Sequence, residues 1–484
     1  MKTKFSNISS IFILACFGIM LIISCSKNNK KEEKKDVDQE TVAYNDSKAS
    51  SSDCECESNW FPHSQTPPPE EGKGSPFDTT STTNCIFQQW AWQKFLWLTK
   101  PQSNGKTLFE NELIPVSPLM LPVKPQLGLS LVLDSIGQAG PGGILLSNPE
   151  FNSSHKKADT VYYAIYVDST LKDATEAFTK LILKDTTLLN NSFTFPVGSL
   201  EVKTSWIKTN AIPEAQLSSY YQTKAAVYEN GKYVESTVAL LGVHVVGIVE
   251  NHPEFIWATF EHSDMAPNYD WSAGSASSTD EKLLFGSGST SSLDGIKLAS
   301  GSDFPITPNE VYDLFKYGVP RTPGNGYMET SQNEPENYNN IDSLNICVSS
   351  QLTDVWKNYF YNGALWINTD GLSPTKQADT IRNLGGNIDK ATKGSIARGS
   401  LNAANTTMET YVQTFQSSTH NINAGNLVNC FLCHNSASLN GTNKSPLYLS
   451  HVFNGYFEYQ KGKTPKQISK MKLQEFDAVF LKNK

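Results

Sequence analysis

The run from Val238 to Val249 limits the fold of this chain more than any other stretch. It is near-continuously apolar and rich in β-branched residues, which suits a strand buried on both faces. Just upstream, Ala226 to Val234 turns around Asn230-Gly231, the dipeptide that closes a type I′ hairpin. Tyr162 to Val167 is β-branched and aromatic, and Phe255 to Phe260 resumes an extended pattern after the His252-Pro253 break. Together these stretches predict one antiparallel or mixed sheet in the middle of the chain.

Helical patterns flank that sheet. From Cys85 to Leu98, residues Phe87, Ala91, Phe95 and Leu98 share a face, with Trp90 and Trp97 beside them. Aromatic density of this kind reads first as core. Thr307, Pro308 and Glu310 form a capped helix start, which Gly318 and Pro320 end. A further helix is expected within Ile346 to Tyr359. The Ser-, Gly- and Ala-rich residues 272–295 read as a surface loop. Thr406 and Glu409 spell another capping box, opening a helix with Met408, Tyr411, Val412 and Phe415 on one face.

The chemistry is concentrated near the carboxyl end, in Cys430-Phe431-Leu432-Cys433-His434. C-x-x-C-H is the pattern for covalent attachment of a c-type haem. Each thiol adds to one vinyl group, and the adjacent imidazole binds the iron from one side. Three other readings compete. A disulfide across this spacing is short. A zinc half-site needs a second Cys or His pair, and none lies nearby at suitable spacing. A thioredoxin-like redox motif needs a βαβ context that these Asn-, Gly- and Ser-containing flanks do not supply.

The amino terminus is an independent clue. Lys2 and Lys4 precede an apolar run from Ile11 to Ile23, too short to span a bilayer comfortably. It ends Ile22-Ile23-Ser24-Cys25, which resembles a bacterial lipobox with Cys25 as the lipidated residue. An ordinary signal peptide or signal anchor is the alternative. Attachment of haem c in bacteria takes place outside the cytoplasm, so export and C-x-x-C-H corroborate one another. The polar stretch that follows cannot bury enough apolar surface to offset its ordering entropy, and Pro67-Pro68-Pro69 continues it as a stiffer spacer.

The chain contains 8 Cys. Cys16 and Cys25 fall in the export signal, and Cys430 and Cys433 in the haem motif. Cys54, Cys56, Cys85 and Cys347 remain, an even number compatible with two disulfides in an oxidising compartment. Their connectivity cannot be deduced from sequence. The expected organisation is a lipoprotein signal peptide over 1–25, a disordered polar, Pro-rich tether over 26–80, an α+β body over 81–370 and a haem c-binding region over 371–484. The fold class is α+β: a central antiparallel or mixed sheet with flanking helices, plus a small, mainly helical C-terminal haem c segment.

A c-type haem iron needs a sixth ligand or leaves that position open. Met408 is the first candidate, being on an apolar face and close in sequence, and a thioether there would raise the potential. The alternative for Met408 is simple packing with Tyr411 and Phe415. His451 is second, and would lower the potential; His262 is a remote third. Met471 lies in a Lys-rich helix with little apolar support. His63, His155 and His244 read as surface or satisfied core residues.

Taken together, the haem motif, the export signal, Trp92 to Thr99 and Leu401 to Thr410 resemble a group of large bacterial exported proteins called cytochrome c family proteins. The lipobox and polar tether resemble lipoproteins of the Bacteroidota. The resemblance runs from about Cys85 to the haem motif, and only the C-x-x-C-H part specifies a chemistry. It implies a monohaem, membrane-anchored electron-transfer protein with Cys430 and Cys433 holding the haem and His434 as proximal ligand. The chain would face the periplasm or the cell surface and serve a redox partner protein. Two alternatives stand beside this: a haem c-dependent periplasmic oxidoreductase with a substrate site in the body, and a haem-free surface-binding lipoprotein. No GxGxxG, P-loop, HExxH or GxSxG motif appears. The net charge of −8 argues against nucleic acid as a partner.

Overall fold

The computed structural model describes residues 54–78, 84–134, 145–266, 269–270, 275–276, 281–284, 337–369, 371–384, 396–399, 405–409 and 429–481. Cys25, the expected signal peptide and the helix expected after Thr307 lie outside the described residues, as does most of the 272–295 loop.

The architecture is α+β. Its centre is a ten-stranded sheet. The strands are β1 (Ile114–Val116), β2 (Val132–Leu133), β3 (Leu145–Leu146), β4 (Thr160–Val167), β5 (Leu200–Lys208), β6 (Gln222–Glu229), β7 (Lys232–Val249), β8 (His252–His262), β11 (Tyr359–Ile367) and β12 (Ala397–Gly399). β9 (Tyr269–Asp270) and β10 (Ser275–Ala276) form a separate pair. The main path runs β1-β4-β5-β7-β8-β11-β12, with β3 on β4 and β6 on β7. Every pairing is antiparallel except β2 with β6.

β7 is the long central strand that the apolar run predicts. The hairpin into it turns at Asn230 and Gly231, whose φ values of 52° and 79° are those of a type I′ turn. Alternate β7 residues face opposite cores. Val243 and Val245 join a cluster with Trp90, Phe95, Trp206 and Tyr361. Val246 and Ile248 join a second cluster with Trp257, Leu365 and the C-terminal residues Phe431, Leu449 and Phe453. The aromatic helix, Asn84–Leu98, belongs to the first core. Its rings therefore pack on the sheet face opposite the C-x-x-C-H motif.

Three boundaries differ from the sequence reading. The helix expected across Ile346–Tyr359 runs over Asn337–Gln351 instead. Asp354 then caps a 3-10 turn by accepting from Trp356 N, and Tyr359 begins β11. The tether does not extend to 80, because Trp60 and Phe77 are 1 % and 0 % exposed in the first core. Disulfides Cys54–Cys85 and Cys56–Cys347 fix the same stretch to the aromatic helix and to Asn337–Gln351. Lastly, residues 371–484 are no separate region. β12 pairs with β11, and residues 429–460 cover one face of the sheet. Among the described residues no helix is long and apolar enough to cross a membrane.

Candidate functional site

Cys430, Phe431 and Leu432 form a 3-10 turn. Asn429 starts it, its Oδ1 accepting from Phe431 N at 2.9 Å. Cys433 N and His434 N both donate to Cys430 O, at 3.3 and 2.8 Å, so the chain stays tightly wound through the histidine. Phe431 is 1 % exposed and anchors the turn against the Trp257 edge, ring centroids 6.4 Å apart. Cys430 and Cys433 are half-buried thiols.

His434 is held by three neighbours. Its Nδ1 is 2.9 Å from Leu449 O. A carbonyl only accepts, so Nδ1 carries the proton and the Nε2 lone pair points outward. Trp257 meets the ring at a centroid distance of 4.2 Å and His451 at 3.9 Å, the latter with planes only 22° apart. His451 returns the bond, its Nε2 donating to Cys433 O at 2.9 Å. The motif turn and the 449–451 segment thus exchange imidazole–carbonyl bonds. Burial, then the closeness of His451, holds His434 well below the ordinary histidine range. Burial followed by the Lys472 charge pulls His451 down to about 4. Both rings are neutral at neutral pH, so each keeps one nitrogen with a lone pair.

Beside this pair a polar band crosses the sheet. Register places Lys203 opposite His244 and His244 opposite Thr259. The next row along the same face contains Ser205, Gly242 and Glu261. Lys203 is buried, and its charge senses Glu409, Glu201 and Cys433; burial holds its ammonium below the usual lysine range. His244 Nε2 lies 2.9 Å from both Glu409 oxygens, and its Nδ1 is 2.8 Å from Thr259 Oγ1.

The turn Asn405–Glu409 is clamped onto this band. Asn405 Nδ2 donates to Phe260 O, Thr406 N and Oγ1 bond to Glu261, and Tyr163 Oη donates to Thr407 O. A Cβ at Gly242 would lie 2.7 Å from Thr407 Oγ1 and 2.8 Å from the Asn405 amide, so only glycine fits beneath the turn. Asn405 Oδ1 caps Thr407 N, and Asn405 N donates to Glu409 Oε2 at 3.2 Å. The expected box pairs Thr406 with Glu409, and the observed one is shifted by a residue. The helix expected after Glu409 lies outside the described residues.

Of the sixth-ligand candidates, the structure brings His451 against His434. Met408 is 1 % exposed in a third cluster with Leu145, Tyr163 and Ile207, whereas the motif's Phe431 belongs to the second. His262 stacks on Tyr220 at 3.7 Å and bonds Ser219 O at 3.1 Å. His63 bridges Leu96 O and Asp354, and His155 bonds Asp159. Sequence reasoning passed over Trp257, Leu449 and Lys203, read His244 as a surface or satisfied core residue and read Glu409 only as a capping residue. Among the described residues no group of three or more His, Cys, Asp or Glu is arranged to hold a metal ion.

Comparison with protein families, curated proteins and solved structures finds no match. The functional reading of this chain therefore rests on the C-x-x-C-H turn and its surroundings.

Proposed function

We propose that this chain carries one haem c, bonded through Cys430 and Cys433 and ligated by His434, and passes single electrons as an exported, lipid-anchored cytochrome. The carrying observation is the 2.9 Å bond from His434 Nδ1 to Leu449 O. Iron-binding histidines donate their second ring nitrogen to a carbonyl or carboxylate, which fixes the tautomer and raises the basicity of the ligating nitrogen. Here the chain provides that arrangement before any ligand is counted.

The remaining features fit the same group. The turn carries the two half-buried thiols three residues apart and the imidazole one residue on. Phe431, Trp257 and Leu449 build an apolar wall around the motif, which would limit water access. The Lys203 ammonium lies close enough to sense Cys433 and His434. A buried positive charge at that range favours the more electron-rich state of a nearby redox centre. The haem, when bound, supplies a one-electron iron couple. The lipid anchor at Cys25 and the redox partner protein belong to the same proposal and rest on the sequence.

The test is maturation with a haem c attachment system, followed by a pyridine haemochrome spectrum and intact mass. An α band and one added tetrapyrrole are expected, both lost in a Cys430→Ser, Cys433→Ser double variant. Properly matured protein with unmodified thiols, or with a Cys430–Cys433 bridge, would overturn the proposal.

A further inference from the structure

We propose that His451 is a positioning residue on the proximal side, and not the sixth ligand; this rests on the haem reading of the motif. The geometry decides between the two roles. Two imidazoles on opposite sides of one metal ion, with metal–nitrogen bonds of about 2 Å, have ring centroids about 6 Å apart and meet nose to nose. His451 instead lies face to face with His434 at 3.9 Å and 22°. His434 would hold an iron through Nε2, along the ring edge, and a second ligand across that iron would meet His434 edge to edge. A ring stacked on the face of His434 would not be placed to do so.

The hydrogen bonds agree. His451 Nε2 gives its proton to Cys433 O, so that nitrogen has no lone pair to offer. The bond also pins the carbonyl of the residue just before the ligand. His434 Nδ1 is fixed by Leu449 O, two residues ahead of His451 in the chain. One short segment therefore sets both the tautomer of His434, through Leu449, and its rotation, through the His451 ring. Ser450, between them, caps the His451–Gln460 helix by accepting from Phe453 N, which ties that segment to the helix start. Rotation of the His434 ring is the quantity such a contact controls.

The experiment compares matured wild type with His451→Phe and His451→Ala. Phenylalanine keeps the stacked face but has no nitrogen, and alanine removes both. His451→Phe is expected to keep the wild-type ligation state: the same low-spin fraction and the same carbon monoxide behaviour. His451→Ala is expected to keep that state too, but to change the g-anisotropy of the ferric electron paramagnetic resonance spectrum, with Phe restoring it. Conversion of His451→Phe to a high-spin form that binds carbon monoxide far faster than wild type would make His451 a ligand and overturn the inference. An alanine spectrum identical to wild type would also overturn it. Absence of the α band in all three proteins would instead sink the haem reading. The inference is then read on the haem-free chain by ¹⁵N resonances and ring-proton NOEs of His434. The Nδ1–H tautomer should persist in all three proteins, since Leu449 O sets it. A single His434 ring orientation by ring-proton NOEs in wild type and His451→Phe, averaged in His451→Ala, supports the inference; no difference in ring orientation overturns it.

Discussion

Glu409 shows how a single half-buried carboxylate can hold a segment in place. Burial alone raises its carboxyl, but His244, Lys203 and the Asn405 N–H outweigh that and hold it below the usual range. A depressed folded value means that its stabilisation is present above the unfolded carboxylate range and is lost as pH falls through the folded value. Wild type should therefore lose thermal stability between about pH 5 and about pH 3, and Glu409→Gln should show a flatter acid limb. At about pH 7 the same variant should be less stable by about 1–3 kcal/mol, measured by chemical denaturation. Glu201 has the opposite sign. Burial pushes it up to about 7, so its contribution is present below the unfolded range and lost as pH rises through about 7. Glu201→Gln should raise the melting temperature more at about pH 8 than at about pH 5. Gly242→Ala should cost about 1–3 kcal/mol, because its Cβ meets Thr407 and Asn405 with no room to move. At this scale the motif was legible and its supports were not. Leu449 acts through a backbone carbonyl, which leaves no trace in residue type. Lys203 alternates with Val202 and Thr204 as a solvent-facing residue does, yet it is 6 % exposed, with its ammonium 5.9 Å from the Tyr163 ring centroid.

Among the elements, the strands were read most closely. Val238–Val249 and the Asn-Gly turn carry both of their signals locally, in β-branching and in positive φ. The helix expected over Ile346–Tyr359 failed because its end is set by Asp354 capping a 3-10 turn and by Tyr359–Ile367 joining the sheet beside β8. Aromatic residues such as Tyr359, Phe360 and Tyr361 suit either state, and tertiary pairing decided. The disulfides could be counted but not paired. Cys56–Cys347 crosses a separation of 291 residues, and its loss should be felt throughout the first core. The Cys56→Ser, Cys347→Ser double variant is expected to lose about 2–5 kcal/mol, seen as a lower denaturation midpoint with unchanged secondary structure.

At the scale of the molecule, the sheet is a partition. One face carries the aromatic core with Trp60, Phe77 and the Asn84–Leu98 helix; the other carries the motif turn and its covering helix. Residues 54–78 look like spacer by composition, yet Trp60 and Phe77 are buried and both nearby cysteines are bridged. Composition averages over such anchors and hides them. A chain beginning at residue 79 should therefore lose its cooperative thermal transition, observable by calorimetry. The placement of residues 429–460 has a further consequence for biogenesis. A ribosome completes every strand of the main path before it reaches them, so in the interval the cluster around Val246, Trp257 and Leu365 lacks Phe431, Leu449 and Phe453. The nascent protein thus waits for residues 429–460 to complete this apolar cluster, and a product stopped before residue 429 would present the uncovered part to chaperones and proteases.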